Sequence, residues 1–116
     1  MTSIPQDGYL LRIFVGESDK YQGKPLYEWL VIEARKRSMA GATVLRGMMG
    51  FGAHSVIHTF KIERLSEDLP IIIEIVDSQE KIEDFLSFAE SQIKHGMLAT
   101  VEKVQVRIYR GGEKDA

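Results

Sequence analysis

"LPIIIEIV", residues Leu69 to Val76, decides how the rest of this sequence is read. Five β-branched residues in eight positions, with a proline near the start, suit a strand and are too short for a helix. Strand alternation places Ile71, Ile73 and Ile75 on one side and Ile72, Glu74 and Val76 on the other. One side is wholly aliphatic. The second is apolar around a single charge.

Toward the C-terminus, Asp77-Ser78-Gln79-Glu80 supplies a helix N-cap with an acidic residue near the third helical position. Ile82, Phe85, Leu86, Ala89 and Ile93 then recur at helical spacing, until His95-Gly96 ends the segment. Leu98 to Tyr109 reads as a long final strand, followed by the polar tail GGEKDA, expected to fray. Toward the N-terminus, Tyr9 to Val15 is a first strand between Gly8 and Gly16. Its sides are Leu11, Ile13 and Val15 against Leu10, Arg12 and Phe14. Glu17 to Lys24 reads as a polar loop, and Pro25 suits the first position of a helix over Leu26 to Met39. Tyr27, Leu30, Val31 and Ala34 form that helix's stripe, and Gly41 is its expected stop. Ala42 to Met48 has strand character. The order β-α-β-β-α-β predicts an α+β, ferredoxin-like sandwich, one antiparallel sheet with both helices on one face. A single domain over 1–116 is expected.

Two helices cover one sheet face and leave the other bare. Arg12 and Glu74 are expected to pair across the central strands of that bare face, within an apolar field of a size that usually marks an interface. An oligomer burying this face is expected.

Composition narrows the function classes. A formal charge of −2 gives no electrostatic footprint for nucleic acid or an anionic membrane. No apolar run reaches the ~18 residues of a membrane span. MTSIPQDG lacks a basic region followed by an apolar one, so no secretory signal is expected and a cytoplasmic location is. The absence of cysteine removes disulfides, thiolate zinc sites and thiol nucleophiles.

RNA-recognition modules share this topology, and LRIFVG is similar to one of their two signature strands. The other signature needs base-stacking aromatics on the central strand LPIIIEIV, which has none. His54 and His58 stand four apart, a metal-ligand spacing on a helix, but glycines and β-branched residues around them disfavour a helix. A metal-binding trimer or small enzyme using these two histidines is the alternative reading. Glu67-Asp68 and Glu83-Asp84 read as solvated surface, and no nucleophile, base and orienting group assemble into a catalytic set.

The remaining feature is RGMMGFGAHS, Arg46 to Ser55, with three glycines in ten positions. Glycine this dense is unfavourable in a plain strand, which leaves a turn, a bulge or a backbone that approaches a ligand closely. GATVLRGMMGFGAHS, Gly41 to Ser55, resembles the segment of PII signal-transduction proteins running from the first helix to the base of their long T-loop. LPIIIEIV resembles the PII strand after that loop, and VRIYRGGE, Val106 to Glu113, resembles its basic C-terminal strand. ESDKYQGKPLYE and GAHSVIHT are closer still to the PII-like group called domain of unknown function one-ninety.

The resemblance implies a PII-like homotrimer with adenine nucleotide (AMP, ADP or ATP) in clefts between subunits, no required cofactor, and Mg²⁺ alongside the polyphosphates. It implies a protein that acts by binding, signalling to a protein partner through a mobile T-loop-like segment at about 53–68. Carried onto this sequence, Gly50, Gly52, Ala53, His54 and Ser55 would form the loop base, where backbone N–H groups meet an anion. Gly96 would lie in the following B-loop, and Arg107 and Arg110 would reach the phosphates. Ala53 stands where PII proteins carry an arginine, and Gly96-Met97 is all that matches their Gly-Asp-Gly-Lys run. Lys24, Arg46 or Lys94 would have to supply the missing charge. Phe51 to Asp68 contains no tyrosine, so the modification some PII proteins carry there is not expected.

Overall fold

The computed structural model describes residues 7–52 and 68–111. Its four long strands are β1 (Asp7–Gly16), β4 (Thr43–Arg46), β5 (Pro70–Asp77) and β6 (Leu98–Gln105). They form one antiparallel sheet in the order β4-β5-β1-β6. Helix α1 (Leu26–Lys36) and helix α2 (Gln79–Gln92) complete the ferredoxin-like architecture.

Register explains the core. Leu11, Ile13 and Val15 of β1 face Ile75, Ile73 and Ile71 of β5, and all six are buried. Leu26, Leu30 and Ala34 of α1, with Ile82, Phe85 and Ala89 of α2 and Ile93 just beyond it, close over them. Each leucine, isoleucine and phenylalanine among them contributes roughly 1.5–3 kcal/mol when fully buried, so this layer holds the helices to the sheet. Leu10, Phe14, Ile72 and Val76 occupy the opposite face and are only half-buried. Arg12 lies between them, and its Nε donates to Glu74 Oε2 at 2.9 Å, the pair expected from the sequence. Its Nη1 reaches Glu102 Oε1 on β6 at 2.6 Å, a third member the sequence did not suggest. Hydrogen bonds to Glu74 and then Glu102 raise the Arg12 pKa above its ordinary value, so it stays a cation.

Several boundaries differ from expectation. Helix α1 stops at Lys36 because Ser38 takes a left-handed φ of 58°, three residues before Gly41. Pro25 is its N-cap rather than its first helical residue. The expected polar loop holds a two-stranded hairpin, β2 (Lys20–Tyr21) and β3 (Lys24–Pro25). Its turn, Gln22-Gly23, has φ of 51° and 80°, the double positive φ that tight hairpins favour. Tyr21 fastens this hairpin to the helices, with its ring centroid 4.6 Å from that of Trp29 and its hydroxyl donating to Gln92 Oε1 at 2.9 Å. Strand β6 ends at Gln105, short of the expected Tyr109. Ser78 caps α2 as expected, its Oγ accepting from the Lys81 N–H at 3.3 Å.

Candidate functional site

Two clefts lie at opposite ends of the sheet. The first, of about 460 Å³, gathers Phe14 to Gly16 from the end of β1, Phe51 and Gly52, Asp68 and Pro70, and Gly96 to Leu98. The glycines that puzzle in the sequence divide their labour here. The Gly47 N–H donates to the Pro70 carbonyl at 2.8 Å. A Cβ on Gly47 would sit 2.6 Å from Pro70 Cγ, and one on Gly50 would sit 3.0 Å away. These two let the chain pass over the proline ring, so packing and not a ligand accounts for their missing side chains. Gly52 differs. Among the described residues, nothing lies within 4 Å of a Cβ built on it, although it lines the cleft. Gly96 turns the chain after α2 with φ of 80°. Two carboxylates border the same cleft. Asp19 Oδ2 accepts from the Gly16 N–H at 2.8 Å, and Asp68 Oδ1 from the Ser18 N–H at 3.0 Å.

The second cleft, of about 730 Å³, lies where β1 begins and β6 ends. Its walls are the α1–β4 connection with Thr43, the open-face side chains Leu10, Glu74 and Val76, and the chain after Val104 through Arg107 to Tyr109. The connection is held at three backbone groups. Lys81 Nζ donates to the Ser38 carbonyl at 2.6 Å, and the Ala40 N–H to Asp77 Oδ2 at 2.8 Å. The Tyr109 hydroxyl reaches the Ala40 carbonyl at a long 3.5 Å. Asp77 is fully buried, and its other oxygen accepts from the Ser78 N–H at 2.7 Å. Two charge-assisted bonds thus compensate a buried carboxylate and fix the cleft wall.

The residues singled out in the sequence scatter accordingly. Gly52 and Gly96 share the first cleft, Gly50 packs behind it on Pro70, and Arg107 lines the second. Arg110 is exposed beyond it. Ala53, His54, Ser55 and His58 lie outside the described residues. Of the substitute cations, Arg46 is committed to Glu17 through contacts of 3.0 and 3.1 Å. Lys24 sits on β3, and Lys94 borders a third hollow beside Lys20. From Leu10 to Phe14 the two clefts are four residues apart along β1, roughly 14 Å at strand rise. One chain does not bring them together. The sequence reading missed Thr43, Glu74 and Tyr109 as wall residues. The register that sets Thr43 opposite Glu74 brings the first two together. Among the described residues, no three His, Asp or Glu side chains group as for a metal, and no helix is long and apolar enough to cross a membrane.

Residues 8–106 match the family model DUF190, described as Uncharacterized ACR. The chain belongs to the DUF190 family. Two UPF0166 proteins resemble this DUF190 chain along most of their length. One from Aquifex aeolicus (strain VF5) is 42% identical over 97 residues, covering 84% of this chain and 90% of its own. One from Methanocaldococcus jannaschii is 34% identical over 102 residues, covering 88% and 92%. Among solved structures, CPII of Thiomonas intermedia K12, bound to ADP, AMP and acetate, aligns with TM-score 0.62 and 17% identity over 86% of this chain and 88% of CPII. A Thermus thermophilus protein described as PII-like and signaling aligns with TM-score 0.60 and 21% identity, covering 91% and 93%. The DUF190 chain therefore has the PII-like fold.

Proposed function

We propose that this chain, as one PII-like domain over 1–116, forms a cytoplasmic homotrimer that binds an adenine nucleotide between subunits and acts by binding rather than catalysis. The observation that carries the reading is the separation of the two clefts. Both open onto the sheet face that the helices leave bare, one with the glycine-rich backbone and the other with Arg107. Covering that face with further copies buries Leu10, Phe14, Ile72 and Val76 and sets the glycine side of one copy against the arginine side of the next. Exposed Met48, Phe51 and Leu98 near the first cleft point the same way, at 94%, 69% and 61% accessible. The nucleotide assignment draws on CPII, a structural neighbour bound to ADP and AMP.

The direct test pairs light scattering with calorimetry. We expect a mass of three times 13.2 kDa and binding of AMP, ADP or ATP, with adenosine weaker because Arg107 and Arg110 have no phosphate to meet. A monomer at micromolar concentration, or a trimer binding none of the four, would overturn the reading.

The segment at about 53–68 is the proposed output to a protein partner. It starts directly after Gly52, so a ligand against Gly52 restrains its base. Nucleotide shifts the segment only through its differential affinity for two loop states. Lys61 and Arg64 are trypsin sites within it. Cleavage there is expected to slow when saturating nucleotide is added, and equal rates would leave the site standing without the switch.

A further inference from the structure

We propose that the hollow between the β2–β3 hairpin and the end of α2 is an anion subsite, in which Lys20 and Lys94 take the outer phosphates of the bound nucleotide. The proposal rests on the nucleotide reading above and says where the ligand's charge goes.

Among the described residues, the glycine-side cleft offers no side-chain cation for that charge. Its described lining contains Asp19 and Asp68 and neither lysine nor arginine. A methyl on Gly16 would stand 3.0 Å from Asp68 Oδ1 and 3.2 Å from Asp19 Oδ2, so both carboxylates converge on one spot. Backbone N–H donors hold them there. A phosphate at that spot would be repelled by both. Arg46, the cation just before the glycine segment, already spends both guanidinium contacts on Glu17.

The hollow of about 380 Å³ shares Asp19 and Gly96 with this cleft, so the two are continuous around Gly96. Its cations are Lys20 from β2 and Lys94, one residue past the C-cap Ile93. Neither ammonium has an ion-pair partner among the described residues. Lys20 is presented from a hairpin that cannot swing freely, because its neighbour Tyr21 is pinned by Trp29 and Gln92. A nucleotide reaching past Gly96 therefore leaves Asp68 behind and meets two cations, with Asp19 bordering both spaces. The subsite adds affinity for each phosphate beyond the first, and little for a monophosphate.

The experiment measures AMP, ATP and inorganic pyrophosphate binding to the assembled protein, in wild type and in the double variant K20Q/K94Q. The two lysines are exposed, so the variant is expected to keep the wild-type mass and unfolding midpoint. ATP and pyrophosphate are expected to weaken about tenfold or more in the variant, with AMP changed less than about twofold. Added salt should erode ATP affinity in wild type more than in the variant. Equal losses for AMP and ATP, or no loss for either, would overturn the subsite. If wild type binds neither nucleotide, the nucleotide reading fails separately, and pyrophosphate alone decides: binding lost in K20Q/K94Q supports the subsite, and no binding to wild type overturns it.

Discussion

Mixing inactive Gly52→Val chains with inactive Arg107→Ala/Arg110→Ala chains is expected to restore nucleotide binding. The first variant fills the glycine-side cleft. Among the described residues nothing lies within 4 Å of a Cβ at Gly52, so a valine there is expected to leave the fold intact and obstruct the ligand. The second variant removes the cations of the opposite end, where Arg107 lines the second cleft. Each homotrimer then has three damaged sites. In a mixed ring, one site combines an intact glycine side from one chain with an intact arginine side from its neighbour. Random reassembly of equal amounts leaves about three in four trimers mixed, so binding capacity should recover to about a quarter of wild type. Calorimetric stoichiometry after co-refolding, with each variant refolded alone as control, reads this directly. A site contained in one chain gives no recovery at all. Mass measurements on each variant guard against a trivial failure to assemble.

The largest stability effect is expected at Phe85. It is 1% exposed and packed among Ile82, Ala89 and the isoleucines of β5. Truncation to alanine removes its burial and leaves a cavity that the sheet cannot collapse to fill, at a cost of about 3–5 kcal/mol. Phe88, three residues on, provides the contrast. Its ring stacks on Trp29 at 5.7 Å and under the Arg37 guanidinium at 3.6 Å, on the outer, half-buried side of the helices. Phe88→Ala should lose only about 1–2 kcal/mol, since water already reaches one side and the neighbouring chains can relax. Urea unfolding at a fixed chain concentration compares the two, which matters because an assembly's stability depends on concentration. Fluorescence of Trp29, the sole tryptophan, should change in folded Phe88→Ala and stay unchanged in Phe85→Ala. Equal stability losses would mean that the helix turns a different face to the sheet.

Much of the fold was legible because local chemistry and global packing agree in it. Period-two alternation separated Ile71, Ile73 and Ile75 from Ile72, Glu74 and Val76, and the burial of the first set follows that division. Helical spacing found Ile82, Phe85, Ala89 and Ile93, all of them in the core. The cap at Ser78 was visible because its hydrogen bond closes within four residues. Less of the candidate site was legible. Gly50 and Gly52 look alike in the sequence, yet one is pressed on Pro70 and the other meets none of the described residues within 4 Å of an added Cβ. Lys24, Arg46 and Lys94 were equivalent substitutes until Glu17 claimed Arg46 and the hairpin placed Lys20 beside the hollow at Lys94.

The sequence by itself determined the order of elements, which face of each strand is buried, the Arg12–Glu74 pairing and the resemblance to PII-like proteins. These depend on periodicity and on short-range bonds, which a linear string carries. Tertiary structure alone decided that Thr43 of β4 lies opposite Glu74 of β5 in the wall of the second cleft. It also decided that Asp77 is buried against Ala40, 37 positions away, and that Glu102 joins Arg12 across 90. The separation of the two clefts belongs to the same class. Contacts between residues far apart in the chain depend on register and on which elements lie beside each other, and no local pattern encodes either.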